Sequence, residues 1–238
     1  MIVGPFVNSA CIVAGALIGS LVGARLSEDF RNKLILVFSS ITLGIGTYMI
    51  GKIETLPPVV LSVLAGALCG QFLRLEAAFT KVAAKLAKVF SRGKGKEGSF
   101  PQERVQEQFT VLAVIFCASS LGFFGAMREG LTGDSSLLFI KSCLDFPTAM
   151  FVAASIGGVV GILAVPQLTV QVTTLLAAGL FTHLTTPAML GDFSGAGGFI
   201  MLATGLRQCG VVQYPVISMM PALILVMPFS AMWAKFIG

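Results

Sequence analysis

Residues 3–24 read VGPFVNSACIVAGALIGSLVGA, and this stretch decides the class of the fold. It carries no charged side chain over 22 positions and has glycine at Gly15 and Gly19, four residues apart. A run of about 18 or more apolar residues is long enough to cross the hydrocarbon core of a bilayer as an α-helix. The stretch therefore predicts a membrane-spanning helix.

The composition of the whole chain agrees with that interpretation. Of the 238 residues, 55% are hydrophobic and only 11% are charged, and the mean hydropathy is +0.91. Soluble domains carry about 25% charged residues because their surfaces face water. The strands of membrane barrels are short and alternate in polarity, whereas these apolar runs are long and do not alternate. The sequence predicts an all-α, polytopic integral membrane protein, a single transmembrane domain over residues 1–238.

Eight apolar segments are visible, and seven spans are nearly as plausible because 195–212 is short and glycine-rich enough for a re-entrant loop. Lysine and arginine accumulate in cytoplasmic loops, and with the N-terminus outside, 12 of the 16 basic residues fall inside. This predicts a multi-pass protein with its N-terminus outside and the 74–108 loop in the cytoplasm. The segments are 3–24, 34–51, 57–73, 109–127, 135–165, 167–186, 195–212 and 215–236.

The longest loop, 74–108, contains a predicted amphipathic helix. Apolar and basic residues recur there at steps of three and four, on opposite faces. Such a helix lies in the headgroup plane, where basic side chains meet anionic lipids of the cytoplasmic leaflet. The predicted lipid-contacting residues are Lys81, Lys85, Lys88 and Arg92. A plain topological anchor is the simpler interpretation, and the bilayer explains the net charge of +5 without nucleic acid.

Small-residue patterns recur along the chain. AGALIG at 14–19 resembles AGALCG at 65–70, and SIGGVVG follows at 155–161. Glycine at four-residue spacing lets helices pack closely in a membrane. Ordinary close packing explains most of these glycines. The ordered recurrence also suggests duplicated helix pairs. Glycine-rich faces could in addition form the contacts of a homo-oligomer.

The fifth segment carries two charges. Lys141 and Asp145 are four residues apart and therefore share a helix face, and Pro147 follows. A straight helix over 135–165 would be about 46 Å long, far beyond a core of about 30 Å. We expect a break or bend at Pro147 with the charges in an outer half-helix, as in many transporter sites. The alternative is an interfacial pair that reaches the outer headgroups.

Other polar residues inside the apolar segments complete a predicted polar pathway, because buried polar groups in membranes usually mark a site or a partner. The predicted members are Asn8, Lys141, Asp145, Gln171, Thr174 and Arg207. His183 is the only histidine, and we expect it to be a packed or interfacial side chain rather than a proton carrier. No catalytic motif, cofactor motif or metal-ligand spacing is visible, so an enzyme is not expected and neither is a cofactor.

A specific resemblance covers nearly the whole chain. The strings VIFCASSLGFFGAMREGLTGDSSLLFIKSCLDFPTAMFVAASIGGVVG and VPQLTVQ, with GPFVNSACIVAGALIG and LAGALCGQFLRLE, are similar to the YqgA/YdfK family of bacterial membrane proteins of unknown function. The resemblance implies an inner-membrane location and a transport role without a known substrate. It also implies that Asn8, the pair Lys141 and Asp145, and Gln171 belong to the family pattern, as does the turn formed by Gly130, Leu131, Gly133 and Asp134. Val172 stands where the family often has glycine.

Three functions are open at this point. The first is transport of a small solute or ion through the polar residues around the fifth segment. The second is an oligomeric channel with glycine-rich subunit contacts. The third is a lipid-binding membrane scaffold that acts through the basic helix. Transport is the preferred hypothesis, because paired charges occur inside the apolar segments.

Overall fold

A computed structural model describes residues 2–22, 28–91, 102–117 and 119–236, which form helices joined by short turns. The helices are α1 (Gly4–Val22), α2 (Glu28–Ile50), α3 (Leu56–Phe72), α4 (Leu75–Ser91), α5 (Gln102–Cys117), α6 (Ser120–Thr132), α7 (Ser136–Ile156), α8 (Ala164–Gly179), α9 (Pro187–Gln208), α10 (Val216–Met219) and α11 (Ala222–Phe236). Two 3-10 segments occupy Gly158–Leu163 and Thr182–Leu184. The described ranges contain no strand, and the all-α prediction is confirmed.

Seven stretches of the described chain are long and apolar enough to cross a membrane. The pair Leu56–Phe72 and Leu75–Val82 is bent by 56° at its break and makes an eighth stretch if it is counted as one span. Arg74, in that break, has φ +52, a left-handed conformation that ends the helix. The prediction of seven to eight membrane helices is confirmed. The seven stretches are Gly4–Leu21, Lys33–Ile50, Phe109–Thr132, Ser136–Ile156, Gly158–Gly179, Pro187–Gln208 and Val216–Phe236.

The predicted break at Pro147 is wrong. Helix α7 continues through Pro147 and ends at Ile156, because membrane helices tolerate proline where neighbouring helices surround it. The long apolar segment is divided at Gly157 instead, where φ is +83, a left-handed backbone conformation that favours glycine. A 3-10 segment and α8 then follow. The charged residues consequently lie within a complete span.

The chain packs as two compact units, each made of two separate stretches of sequence. The first unit is Met1–Arg31 with Ala77–Leu180, and the second is Asn32–Glu76 with Phe181–Gly238. The first unit therefore contains α1, α5, α6, α7 and α8, and the second contains α3, α9, α10 and α11.

Glycine at four-residue spacing brings helices together within each unit. In the first unit, a Cβ at Gly19 of α1 would overlap the carbonyl oxygen of Met150 in α7. In the second unit, a Cβ at Gly70 of α3 would overlap the carbonyl oxygen of Ser218 in α10. Backbones that approach so closely hold membrane helices together by van der Waals contact. The recurring small-residue pattern has a packing role in both units.

Apolar side chains cover the outside of the helices, and polar ones lie inside. Leu21 and Phe72 are 86% and 89% exposed, whereas Asn8, Gln167 and Asp192 are fully buried. Exposure of such an apolar surface is unfavourable in water but not in the hydrocarbon of a membrane. This distribution is that of a multi-pass membrane protein.

Candidate functional site

Five polar side chains meet in the first unit around the carboxylate of Asp145. The ammonium of Lys141 donates to Asp145 Oδ2 at 2.5 Å, the amide of Asn8 donates to the same oxygen at 3.1 Å, and the amide of Gln167 does so at 3.4 Å. Gln171 Nε2 donates in turn to Asn8 Oδ1 at 3.0 Å. We call these five residues the polar cluster.

Three helices bring the polar cluster together. Lys141 and Asp145 lie one turn apart on one face of α7, and Gln167 and Gln171 are equally spaced on α8. Asn8 lies on α1, on the same side as Gly15 and Gly19, whose lack of a side chain lets α1 pack directly on α7. The close packing of α1 on α7 therefore places the Asn8 amide within hydrogen-bond distance of the Asp145 carboxylate.

The ion pair is buried, which rejects the interfacial interpretation of these charges. The side chains of Lys141 and Asp145 are only 2% and 8% exposed. Removing two charges from water costs several kcal/mol per ion, and their attraction offsets this only when further hydrogen bonds are made. The amides of Asn8 and Gln167 supply such bonds to Asp145.

The carboxylate fixes the orientation of the surrounding amides. An ionised carboxylate only accepts hydrogen bonds, so the amide groups of Asn8 and Gln167 must turn their nitrogens toward it. The oxygen of Asn8 then points away from Asp145, and the nitrogen of Gln171 turns toward that oxygen. Each amide of the polar cluster thus uses its nitrogen on a neighbour within the cluster.

Two oxygens of the polar cluster are left without a partner. Gln167 Oε1 and Gln171 Oε1 are buried and accept no hydrogen bond. A buried acceptor without a partner costs about 1–3 kcal/mol, and most buried polar groups in native proteins avoid this. Such an uncompensated group points to a ligand or to a catalytic or transport role.

The surroundings of Lys141 leave space for its side chain and contain an aromatic face. A Cβ at Gly122 would lie 2.8 Å from Lys141 Cε and 3.2 Å from Gln171 Nε2, so a larger residue there would crowd both side chains. Lys141 Nζ lies 5.8 Å from the centroid of the Phe116 ring, within the range of a cation–π interaction. Phe116 itself belongs to a buried apolar core formed by α1, α5 and α7.

The structure brings together four of the six residues of the predicted pathway: Asn8, Lys141, Asp145 and Gln171. Thr174 is half-buried on α8, three residues beyond Gln171. Arg207 belongs to the second unit, where its guanidinium pairs with Glu76 and donates to the carbonyl of Tyr214 at 3.0 Å. His183 is exposed in a 3-10 segment.

The predicted lipid-contacting residues fall partly within the described helix α4. Lys81 and Lys85 are exposed there. The side chain of Lys88 and the whole of Arg92 lie outside the described residues.

Gln167 is not among the predicted site residues. It is the first residue of the sixth apolar segment, so its position in the sequence suggests a boundary rather than a buried site. The signal is nevertheless present, because Gln167 precedes Gln171 by one helical turn and shares its face. Two amides at that spacing inside an apolar helix indicate a common partner.

A second buried carboxylate, Asp192 of α9, is also absent from the predicted site. In the second unit, Asp192 Oδ1 accepts from the amides of Glu54 and Thr55 at 3.1 and 2.7 Å. Asp192 Oδ2 accepts from the hydroxyl of Ser230 at 2.6 Å. The predicted seventh segment starts at 195 and leaves Asp192 outside it, whereas α9 begins at Pro187.

Glu129 of α6 is a third carboxylate that the sequence did not single out. Its Oε1 accepts from the backbone amides of Val3 and Gly4 at 2.9 and 3.1 Å, at the start of α1. Free amides and the helix dipole make that end of a helix attractive to a carboxylate. Glu129 and Asp192 both hold the chain at the start of a glycine-containing helix, α1 in one unit and α3 in the other.

The carboxylates, histidine and cysteines of the described chain are spread out. No three of them come close enough to hold a metal ion together within the described ranges. The polar cluster contains one carboxylate, one ammonium and three neutral amides, so its formal charges sum to zero.

Comparison with known proteins identifies the family to which the chain belongs. A family model described as a protein of unknown function, DUF554, matches residues 3–231. The chain belongs to this family. It is 43% identical over 233 residues to the uncharacterized protein YqgA of Escherichia coli (strain K12), a match that covers 98% of both chains. No solved structure matches the chain.

A more distant member of the DUF554 family supports the membrane assignment. The chain is 23% identical over 226 residues, 93% of each chain, to the uncharacterized membrane protein YdfK of Bacillus subtilis (strain 168). The family resemblance inferred from the sequence is therefore confirmed. These relatives carry no assigned activity, so a function must come from the geometry of the polar cluster.

Proposed function

We propose that this protein transports a small solute or ion across a bacterial inner membrane and that the polar cluster is its binding site. The observation that carries the proposal is a buried ion pair that accepts hydrogen bonds from the amides of Asn8 and Gln167, in a cluster where Gln167 and Gln171 each have a buried oxygen without a partner. In this proposal the protein is not an enzyme, its N-terminus is periplasmic, and it uses no cofactor.

The energetics of the polar cluster support a functional role over a structural one. Apolar residues of similar volume often replace a buried ion pair with no loss of stability. A purely structural cluster would also fill its acceptors, because each unfilled one costs about 1–3 kcal/mol. A site that has to receive a ligand has a reason to keep unfilled acceptors.

The position of the polar cluster supports transport in particular. Asp145 lies near the middle of the span Ser136–Ile156, one helical turn after Lys141, and transporters bind their substrates near the middle of the membrane. Ionisable groups within spans usually mark a substrate or ion pathway. The deep position suits a molecule that enters from one side and leaves from the other.

Ligand-dependent stability tests this proposal. A ligand that binds only the folded state at about 100 times its Kd stabilises that state by about 2.7 kcal/mol. The melting temperature of purified protein is measured with a panel of inorganic ions, amines, amino acids, sugars and organic acids. We expect one class to stabilise the wild type and to have no effect on Asp145→Asn.

Asp192→Asn is the matched control, because it changes an equally buried aspartate of the second unit. It should keep the response of the wild type. A panel without any stabilising compound, or a response that persists in Asp145→Asn, would reject the polar cluster as the site. A stabilising compound is then followed into liposomes, where carrier-mediated uptake has to saturate with concentration.

Helix α4 favours a second function, the binding of anionic lipid. Lys81 and Lys85 are exposed there, and the apolar Val82 between them is 57% exposed, a combination that suits the headgroup region. In Lys81→Gln/Lys85→Gln, stabilisation by phosphatidylglycerol relative to phosphatidylcholine should decrease. An unchanged preference for phosphatidylglycerol would mean that α4 is not the lipid-binding helix.

The glycine-rich faces give little support to an oligomeric channel. Gly15, Gly19, Gly66 and Gly70 all pack against helices of their own unit. These glycines therefore have an internal use and are not free for a subunit contact.

A further inference from the structure

The oxygens of the polar cluster come from three helices. Asp145 Oδ2 comes from α7, Asn8 Oδ1 from α1, and the unpartnered oxygens of Gln167 and Gln171 from α8. Carboxylate and carbonyl oxygens are the preferred ligands of hard cations. The one positive group in the cluster is the ammonium of Lys141, a monovalent cation tethered to the chain.

We propose that the polar cluster binds a small monovalent cation, which replaces the ammonium of Lys141 at Asp145. The inference rests on the proposed function and narrows it, because it names the class of ion that is carried or that drives transport. It assigns Lys141 the role of an internal competitor for the site.

The charge of the polar cluster decides between classes of ligand. Two unpartnered carbonyl oxygens present negative partial charge, and the only ammonium is already bound to Asp145, so an anion would find no free positive group. A divalent ion is better served by several carboxylates, and no group of three acidic, histidine or cysteine side chains occurs in the described residues. One carboxylate with neutral oxygens suits a single positive charge.

Competition requires a second position for the ammonium, which we assign to the face of the Phe116 ring. With the ammonium at Asp145, the Phe116 ring centroid already lies 5.8 Å from Lys141 Nζ, and an aromatic face attracts a desolvated cation. Gly122 leaves the aliphatic part of Lys141 free of a side chain on that side. The ammonium can therefore exchange the carboxylate for the ring without leaving the protein interior.

The second unit explains why a buried aspartate alone is insufficient. Both oxygens of Asp192 accept hydrogen bonds, from two backbone amides and one hydroxyl. A cation at Asp192 would have to displace donors that cannot move away as a lysine side chain can. We therefore expect cation binding at Asp145 and not at Asp192.

Salt-dependent melting tests this inference. The melting temperatures of wild type, Lys141→Met and Asp145→Asn are measured in lithium, sodium, potassium and ammonium chloride, with choline chloride holding the ionic strength constant. At least one small cation should stabilise the wild type saturably, and choline should not. If the ammonium occupies Asp145 for about nine-tenths of the time, Lys141→Met should lower the half-saturating concentration about tenfold.

Matched variants exclude general salt effects. Asp192→Asn and Lys235→Met, which removes an exposed lysine at the end of α11, should keep the wild-type half-saturating concentration. Asp145→Asn should lose the cation response. Lys141→Arg keeps a tethered cation and should not gain the higher affinity of Lys141→Met. If Lys141→Met does not fold, binding of radiolabelled sodium or rubidium to wild type and Asp145→Asn decides the question.

The outcomes separate this inference from the proposed function. Melting temperatures that are the same in every chloride salt overturn the cation site, as does a cation response retained in Asp145→Asn. Equal half-saturating concentrations in wild type and Lys141→Met overturn the competitor role. If an organic solute still stabilises the wild type but not Asp145→Asn, the transporter proposal survives while the cation site is rejected.

Discussion

Each unit of the molecule contains a buried aspartate on a membrane helix, and the two aspartates have different partners. Asp145 in the first unit binds a lysine ammonium and lies beside two unpartnered amide oxygens. Asp192 in the second unit receives two backbone amides and a hydroxyl. Burial is therefore not what distinguishes a candidate site. The distinction lies in whether the partners of the carboxylate can leave and whether acceptors nearby remain unfilled.

The largest expected effect comes from removing the partner of Asp145. In choline salt, Lys141→Met leaves a carboxylate buried without its counter-charge and should reduce the free energy of unfolding by about 3–5 kcal/mol. Lys141→Met/Asp145→Leu should recover most of the loss, because the uncompensated charge is gone. Denaturant unfolding of both variants measures this. A double variant as unstable as the single one would mean that Lys141 acts mainly through packing.

A smaller loss is expected from removing the aspartate of the second unit. Asp192→Ala leaves the amides of Glu54 and Thr55 and the hydroxyl of Ser230 without an acceptor, at a cost of about 2–3 kcal/mol. Ser230→Ala removes a single bond and should cost about 1 kcal/mol. Both variants are unfolded in denaturant and tested for the cation response, which should persist. A stable Asp192→Ala that no longer responds to cations would reverse the roles assigned to the two aspartates.

Glycine substitutions test the packing that both units share. Gly19→Ala and Gly70→Ala force a methyl group against a backbone carbonyl and should each cost about 1–3 kcal/mol. A Cβ at Gly44 would meet no neighbouring side chain or other helix within 4 Å, so Gly44→Ala is the control and should be neutral or slightly stabilising in denaturant unfolding. Only Gly19→Ala should also weaken the cation response, because α1 carries Asn8. Equal effects on that response in Gly70→Ala would contradict the separation of the units.

The smallest effect concerns a half-buried carboxylate, Asp134, which lies between two spans. The hydroxyl and the amide of Ser136, followed by Arg128, hold the pKa of Asp134 below its usual value. Its contribution is therefore present at neutral pH and is lost as the pH falls below about 4, through the lowered pKa. Asp134→Asn should lose less than about 1 kcal/mol at pH 7, because solvent screens the group.

Unfolding of wild type and Asp134→Asn at pH 7 and at pH 3 checks the sign of this effect. The difference between the two proteins should shrink at the lower pH. A difference that grows on acidification would mean that Asp134 is stabilised in its protonated form.

The sequence predicted the spans and most of the polar cluster because both depend on local spacing. Apolar runs mark helices that cross a membrane, and the four-residue interval between Lys141 and Asp145 is enough to predict their pairing. That Asn8 reaches the same carboxylate depends on which helix packs against α7. Gly15 and Gly19 predict close packing but do not identify the partner helix.

Two errors in the prediction have a common physical cause. In a bundle of membrane helices, a proline need not end a helix and a charged residue need not mark the end of a span. Pro147 suggested a break, but the helix continues through it, and the chain turns at Gly157 instead. Asp192 lay just before the predicted start of the seventh span, because a charged residue usually marks a boundary. Its tertiary hydrogen bonds allow it inside α9, and no single-helix pattern contains that information.

The interleaving of the two units along the chain has a consequence for biogenesis. Residues 32–76 emerge from the ribosome before the helices of the first unit are complete, yet their own partners, 181–238, are synthesised last. The helices that carry Asn8, Asp145 and Gln171 have all been made by residue 180. The polar cluster can therefore assemble in the bilayer while α3 still waits for α9, α10 and α11. During that interval α3 lacks the helices against which it packs in the finished protein, and we expect it to be accessible to membrane quality control.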